Sequence, residues 1–291
     1  GGESHFGNDP TTVVAESELS PETVDEVRSL YRDMVRYNDD QFGRLLAKLR
    51  SEGLYEDALV VLVADHGESF GDHGRFLGRP IYGHSGVVYE EVVRVPMLVK
   101  YPGEAPAGRT VDSLVQLTDV YPTVADACGF EPSVSVHGRS LKPDGDGGTG
   151  GVDGVDGTGT GGTSPGSGGR TVFVESQPTP GNVYSGAVRR GDEKFLRIRK
   201  DWRWRRDPRR MAETLLWKLT VPSTQLFDLS DDPGETRDRS AERPDTVDEL
   251  GSVFERTRTR LDEQRRAVDT DRLADFDDET ERRLEALGYL E

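Results

Sequence analysis

The Asp65-His66-Gly67-Glu68 run, with His73 following in Gly71-Asp72-His73-Gly74, gathers the side chains of this sequence best suited to chemistry. An adjacent Asp and His offer a hard anionic oxygen and a neutral imidazole, a pair that suits a divalent cation. A cation held there neutralises charge as it develops on an oxyanion. The bland alternative is an Asp that caps a turn beside a core imidazole, and residue type alone leaves both open. Position favours ligation. The pair follows directly on Leu59 to Val63, a short apolar run rich in β-branched residues that breaks off into polar groups. Such a run reads as a central strand of an α/β sheet, and ligands of those sheets collect where the strands end.

The surrounding elements must hold that strand end in place. Ser20-Pro21-Glu22 has the form of a helix start: a hydroxyl cap, Pro at the first helical position and a carboxylate against the positive dipole end. Apolar residues then recur at helical spacing through Val24, Val27, Tyr31, Met34, Val35, Phe42, Leu45, Leu46 and Leu49, and Gly53 closes the helix. This stripe is expected to bury itself on the sheet that carries Asp65, with Leu54 to Asp57 as a short αβ turn. Residues 75–91, with Gly78, Pro80, Gly83 and Gly86, read as a loop beside the strand end, and Val95 to Val99 as a second short strand. Thr118 is expected to cap a helix through Tyr121, Val124 and Ala125 that stops at Gly129, with Cys128 packed as a small buried hydrophobe. Further on, Thr171 to Glu175 and Leu226 to Leu229 read as strands. Val183 to Arg190 and Lys194 to Arg199 read as a hairpin around Gly191-Asp192, and Val247 to Val268 as a helix.

Composition narrows the partners. The 291 residues carry a net charge of −17, which argues against nucleic acid, because phosphate binding needs clustered Lys and Arg. Only six of the 37 basic residues are Lys. An acidic, Arg-rich, Lys-poor surface fits a protein adapted to a high-salt cytosol, where screening removes self-repulsion. A single Cys excludes an internal disulfide and points to a reducing, cytoplasmic setting. No apolar run reaches the roughly 18 residues of a membrane span. Oligomeric state is left open.

Residues 143–170 hold 13 of the 34 Gly and no aromatic residue, so ordering them would find no apolar burial to offset the lost entropy. They read as a flexible insertion between residues 1–142 and 171–291. The basic cluster Arg203, Arg205, Arg206, Arg209 and Arg210 could meet an anionic substrate, but a solvated patch paired with surrounding acids is the favoured reading.

Taken together, several fragments resemble the sulfatase family of the alkaline phosphatase superfamily. They are Tyr31 to Gly53, Asp65-His66-Gly67-Glu68, Gly71-Asp72-His73-Gly74, and Tyr89-Glu90-Glu91-Val92-Val93-Arg94-Val95-Pro96. Val115 to Gly129, Gln225-Leu226-Phe227-Asp228-Leu229 with Asp232-Pro233-Gly234-Glu235, and Leu284 to Leu290 continue it in family order. The resemblance implies an α/β fold: an alkaline-phosphatase-like mixed sheet flanked by helices, with a small C-terminal antiparallel sheet plus helix. It implies sulfuric ester hydrolysis of a small-molecule or saccharide sulfate. A phosphomonoesterase, phosphonate monoester hydrolase or phosphotransferase of the superfamily, or a non-catalytic remnant, are the rival readings.

The resemblance also assigns roles. Asp65 and His66 would ligate one divalent cation, Ca²⁺ before Mg²⁺ or Mn²⁺. His84, in Gly83-His84-Ser85-Gly86, would touch the sulfate and protonate the leaving group, as a His titrating near neutrality can. His73 would approach the same site or make a structural bond. His5 would match a substrate-contacting His, and His137 reads as a turn residue. The Cys-x-Pro-x-Arg or Ser-x-Pro-x-Arg segment whose first residue becomes formylglycine has no match here. Cys128 lacks the Pro and Arg, Ser176-Gln177-Pro178-Thr179-Pro180 lacks the Arg, and neither Asp39-Asp40 nor Asp231-Asp232 suits the strand-end Asp pair. With Gly1 in place of Met, the sequence reads as the C-terminal half of a sulfatase-like protein, carrying half a metal site and inactive alone.

Overall fold

A computed structural model describes residues 19–76, 79–84, 86–103, 108–132, 136–142, 170–176, 183–200 and 222–267. The first element, α1 (Pro21–Ser51), starts where its capping signal stands: Ser20 Oγ accepts from Thr23 N at 3.2 Å. It stops at Glu52, with Gly53 in the left-handed region at φ 71°. Its apolar stripe behaves otherwise than expected. No residue of α1 is buried, and Leu30, Tyr31, Met34, Val35 and Leu45 are exposed. Its anchors lie near the first turns instead, where Arg28 pairs with Asp72 and Tyr31 meets Phe70 edge-on with ring centroids 5.2 Å apart.

Strand β1 (Val60–Val63) pairs antiparallel with β4 (Met97–Lys100), Val61 opposite Val99. Every ladder among the described residues is antiparallel, so the parallel pairing of a central α/β strand is not among them. The stretch read as a loop carries structure. β2 (Ser69–Phe76) and β3 (Arg79–Gly83) form a hairpin with Phe70 opposite Tyr82 and a register shift between Phe70 and Arg75, and the single turn α2 (Glu90–Val93) follows. Gly83, one of the glycines that suggested a loop, serves this hairpin at φ 88°, as does Gly71 at φ 84°.

Helix α3 (Val120–Cys128) ends at Gly129 with φ 72°, as expected. Its entry is different, because Thr118 lies inside a 3₁₀ turn (Leu117–Asp119) and Asp119 provides the fixing group. The Asp119 carboxylate is fully buried and accepts from Gln116 N, Arg139 N and both terminal nitrogens of Arg170, the last two at 2.6 Å. Arg170, read as the last residue of the insertion, is therefore a fixed, nearly buried partner. Cys128 is exposed, not packed inside, because α3 buries Pro122, Thr123 and Ala125 instead.

The C-terminal sheet follows the hairpin and strand signals closely. Its order is β5 (Thr171–Glu175), β6 (Val183–Arg190), β7 (Glu193–Lys200), β8 (Thr224–Asp228), all antiparallel, with Gly191-Asp192 as the two-residue turn. Side chains alternate along β7. Leu196 and Ile198 join Ile81, Val87, Val88, Tyr89 and Val92 in one core, whereas Phe195 joins Leu250, Val253 and Phe254 of α4 (Pro244–Ala267) in the other. The sheet is thus covered on one face by the 81–92 segment and on the other by α4. Gly186 permits the second contact, because a Cβ there would lie 2.8 Å from Phe254 Cε2.

Candidate metal and leaving-group site

The loop after β1 carries the first site residues. His66 Nδ1 lies 2.8 Å from Gly67 O, so its proton belongs on Nδ1 and Nε2 is left with a free lone pair. Asp65 Oδ1 accepts from His66 N at 3.0 Å, and Oδ2 lies 3.8 Å from His66 Nε2. The Asp65 side chain is 73% exposed, so its oxygens stay open to a ligand.

His84 arrives from the end of β3. Its ring stacks on that of His66, centroids 3.8 Å apart and planes inclined 21°. Its Nδ1 lies 3.0 Å from Glu68 Oε2, so the carboxylate accepts the Nδ1 proton and fixes the ring. One ligand atom each from His66, Glu68 and His84 falls within 4.8 Å of the others. The His66 imidazole and the Glu68 carboxylate, with Asp65 adjoining, fit a divalent cation, and His84, its Nδ1 committed to Glu68, stands beside them. Ca²⁺ alone would need further oxygens, since it takes six to eight. The sequence named Asp65, His66 and His84 but gave Glu68 no role. Its place two residues after His66 was the available signal.

Backbone packing fixes this loop. Gly67 N donates to Val92 O at 2.7 Å, and a Cβ on Gly67 would lie 2.1 Å from Glu91 O, so no larger residue fits there.

His73 stands in a separate group with Glu91 and Glu235. Its side chain is 8% exposed, and its ring stacks on Tyr89 at 3.4 Å. Nδ1 lies 3.6 Å from Glu91 Oε1, beyond hydrogen-bond reach. Burial alone would raise the Glu91 carboxyl, but His73, its own backbone N–H and Ser69 outweigh it and hold it below the ordinary value. For Glu235 burial wins and pushes the carboxyl up, against the pull of Lys194 and the Glu90 N–H. Lys194, only 1% exposed, lies 2.8 Å from Glu235 and 2.9 Å from Glu90. No local pattern revealed this group, because its members come from four distant stretches. His137 is half-buried. Burial pushes its imidazole down, Arg260 acts in the same direction, and a bond to Gln264 opposes them. His5 and the Arg203 to Arg210 cluster lie outside the described residues.

The family model named Sulfatase matches residues 2–130, the span that holds Asp65, His66 and His84. Over residues 2–130 the chain is similar to the sulfatase family. The sulfatase match extends to curated relatives. The multifunctional alkaline phosphatase superfamily protein PehA of Trinickia caryophylli is 33% identical over 133 residues, 44% of this chain and 24% of its own length. The steryl-sulfatase of Mus musculus is 40% identical over 121 residues, 39% of this chain and 19% of its own. A structure solved with its substrate D-glucosamine-2-N,6-O-disulfate aligns with a TM-score of 0.54 at 22% identity, over 77% of this chain and 39% of that one. The chain therefore shares the sulfatase fold and spans well under half the length of each of these proteins. Among the described residues, no helix is long and apolar enough to cross a membrane.

Proposed function

We infer that this chain contributes the metal and leaving-group side of a sulfuric ester hydrolase acting on small-molecule or saccharide sulfates. The observation that carries the reading is the stacked His66–His84 pair, with Asp65 and Glu68 beside it, at the strand end of a sulfatase-like segment. A bound divalent cation, with Ca²⁺ the expected ion, would supply positive charge against the ester oxygens. Asp65 and His66 would hold it, His66 through the Nε2 that its bond to Gly67 O leaves free. His84, oriented by Glu68, would carry a proton on Nε2 and pass it to the departing alkoxide. His73, packed on Tyr89 and facing Glu91, supports the loop from behind.

Hydrolysis of a phosphate or phosphonate ester at the same residues is a second reading, favoured by the match to a relative named as a multifunctional superfamily protein. Assaying the full product of this gene with aryl sulfate and aryl phosphate separates the two. We expect faster turnover of the sulfate, and a loss of about 10²–10⁴-fold in kcat for His84→Ala with good leaving groups affected least. Preference for the phosphate would establish the second reading, and unchanged rates in Asp65→Ala and His84→Ala would end both.

A further inference from the structure

The Gln225 to Glu235 segment has no task in the chemistry above, yet both of its ends grip the stretch beneath the metal loop. Gln225 Oε1 accepts from Tyr89 Oη at 3.1 Å, and Glu235 Oε2 accepts from Glu90 N, 145 residues away in sequence, at 2.6 Å. Glu235 is 2% exposed and sits at φ 50°, the sole non-glycine at positive φ among the described residues. Backbone of that kind persists where its surroundings over-determine it. Here Lys194 supplies the constraint by joining Glu235 and Glu90 through one buried ammonium.

From α2 the path to the site is short and stiff. Gly67 donates to Val92 O and lies against Glu91 O, backbone on backbone, with His66 and Glu68 on either side of it. No flexible side chain stands between to absorb a shift of α2. Ser69 tightens the same joint, bonded to Ile81 O at 3.0 Å on the strand that leads to His84.

We propose that Glu235 is a positioning residue for the metal and leaving-group site: its buried carboxylate, fixed by Lys194, sets α2 and through Gly67 the spacing of His66, Glu68 and His84. The proposal rests on the reading of that site given above. Long-range ¹H–¹⁵N spectra of this chain resolve the imidazoles one by one, and titration with Mn²⁺ reads their ability to bind. Glu235→Gln keeps an acceptor for Glu90 N but removes the charge that Lys194 needs. We expect the His66 and His84 signals to shift and broaden and Mn²⁺ affinity to fall about tenfold. His137, whose partners are Arg260 and Gln264 on α4, should not move. A lowered unfolding midpoint with wild-type His66 and His84 signals would overturn the proposal, since it would show a structural role alone. Should Glu235→Gln not fold, Tyr89→Phe removes only the bond to Gln225. A smaller shift at the same two histidines supports the proposal, and no shift overturns it. Failure of Mn²⁺ to bind the wild type would count against the site reading, while the imidazole shifts in Glu235→Gln still decide the positioning role.

Discussion

Gly67 decides more about this site than any charged residue, because it has no side chain. Its N–H is committed to Val92 O and the space for a Cβ is taken by Glu91 O. Gly67→Ala must push the loop off α2, and we expect divalent-cation affinity to fall at least about tenfold, as for loss of a residue that orients ligands, measured by calorimetry. Glu91 gives a second test at this scale. The fold holds its carboxyl below the ordinary 4.5, so it favours the ionised form. Its contribution to stability is present above that value and fades as pH falls through the lower folded value. Wild type and Glu91→Gln should therefore differ in denaturation midpoint at neutral pH and converge in acid; a constant gap across the titration would contradict the pairing with His73.

Elements succeed or fail here according to whether their signals are local. The start of α1 at Ser20-Pro21 and the β6–β7 hairpin around Gly191-Asp192 stand where capping and turn chemistry put them. The β2–β3 hairpin was hidden, because glycines that enable positive φ look the same as glycines that mark a loop. The clasp at α3 was hidden for another reason: Asp119 and Arg170 are 51 residues apart in sequence. Removing one charge of a buried pair strands the other, at a cost of about 3–5 kcal/mol. Asp119→Asn should show a loss of that order in chemical denaturation. A change smaller than about 1 kcal/mol, typical of exposed pairs, would show that the clasp is not desolvated.

At the scale of the molecule, charge and apolar exposure act together. The net charge of −17 opposes compaction at low ionic strength, and the screening length falls from about 10 Å at 0.1 M salt to about 3 Å at 1 M. We expect the unfolding midpoint of this chain to rise across that range in KCl. Flat or falling stability would remove the reading of the surface as adapted to high salt. Leu30, Met34 and Val35 on α1 and Leu62 and Leu98 on the β1–β4 pair are also exposed. Salt that strengthens the fold should therefore also promote association of the isolated chain, visible by light scattering.

The sequence by itself determined what is written within a few residues: the helix cap, the C-terminal hairpin, the likeness of residues 2–130 to the sulfatase family and the Asp65-His66 pair at a strand end. The tertiary structure alone decided which distant groups meet. It stacked His84 on His66, gave Glu68 a partner, set His73 apart with Glu91 and Glu235, and left the middle of the α1 stripe exposed. The division has one physical cause. Backbone preference and hydrophobic period act over neighbouring residues, whereas the pairing of buried charges depends on which surfaces the folded chain brings into contact.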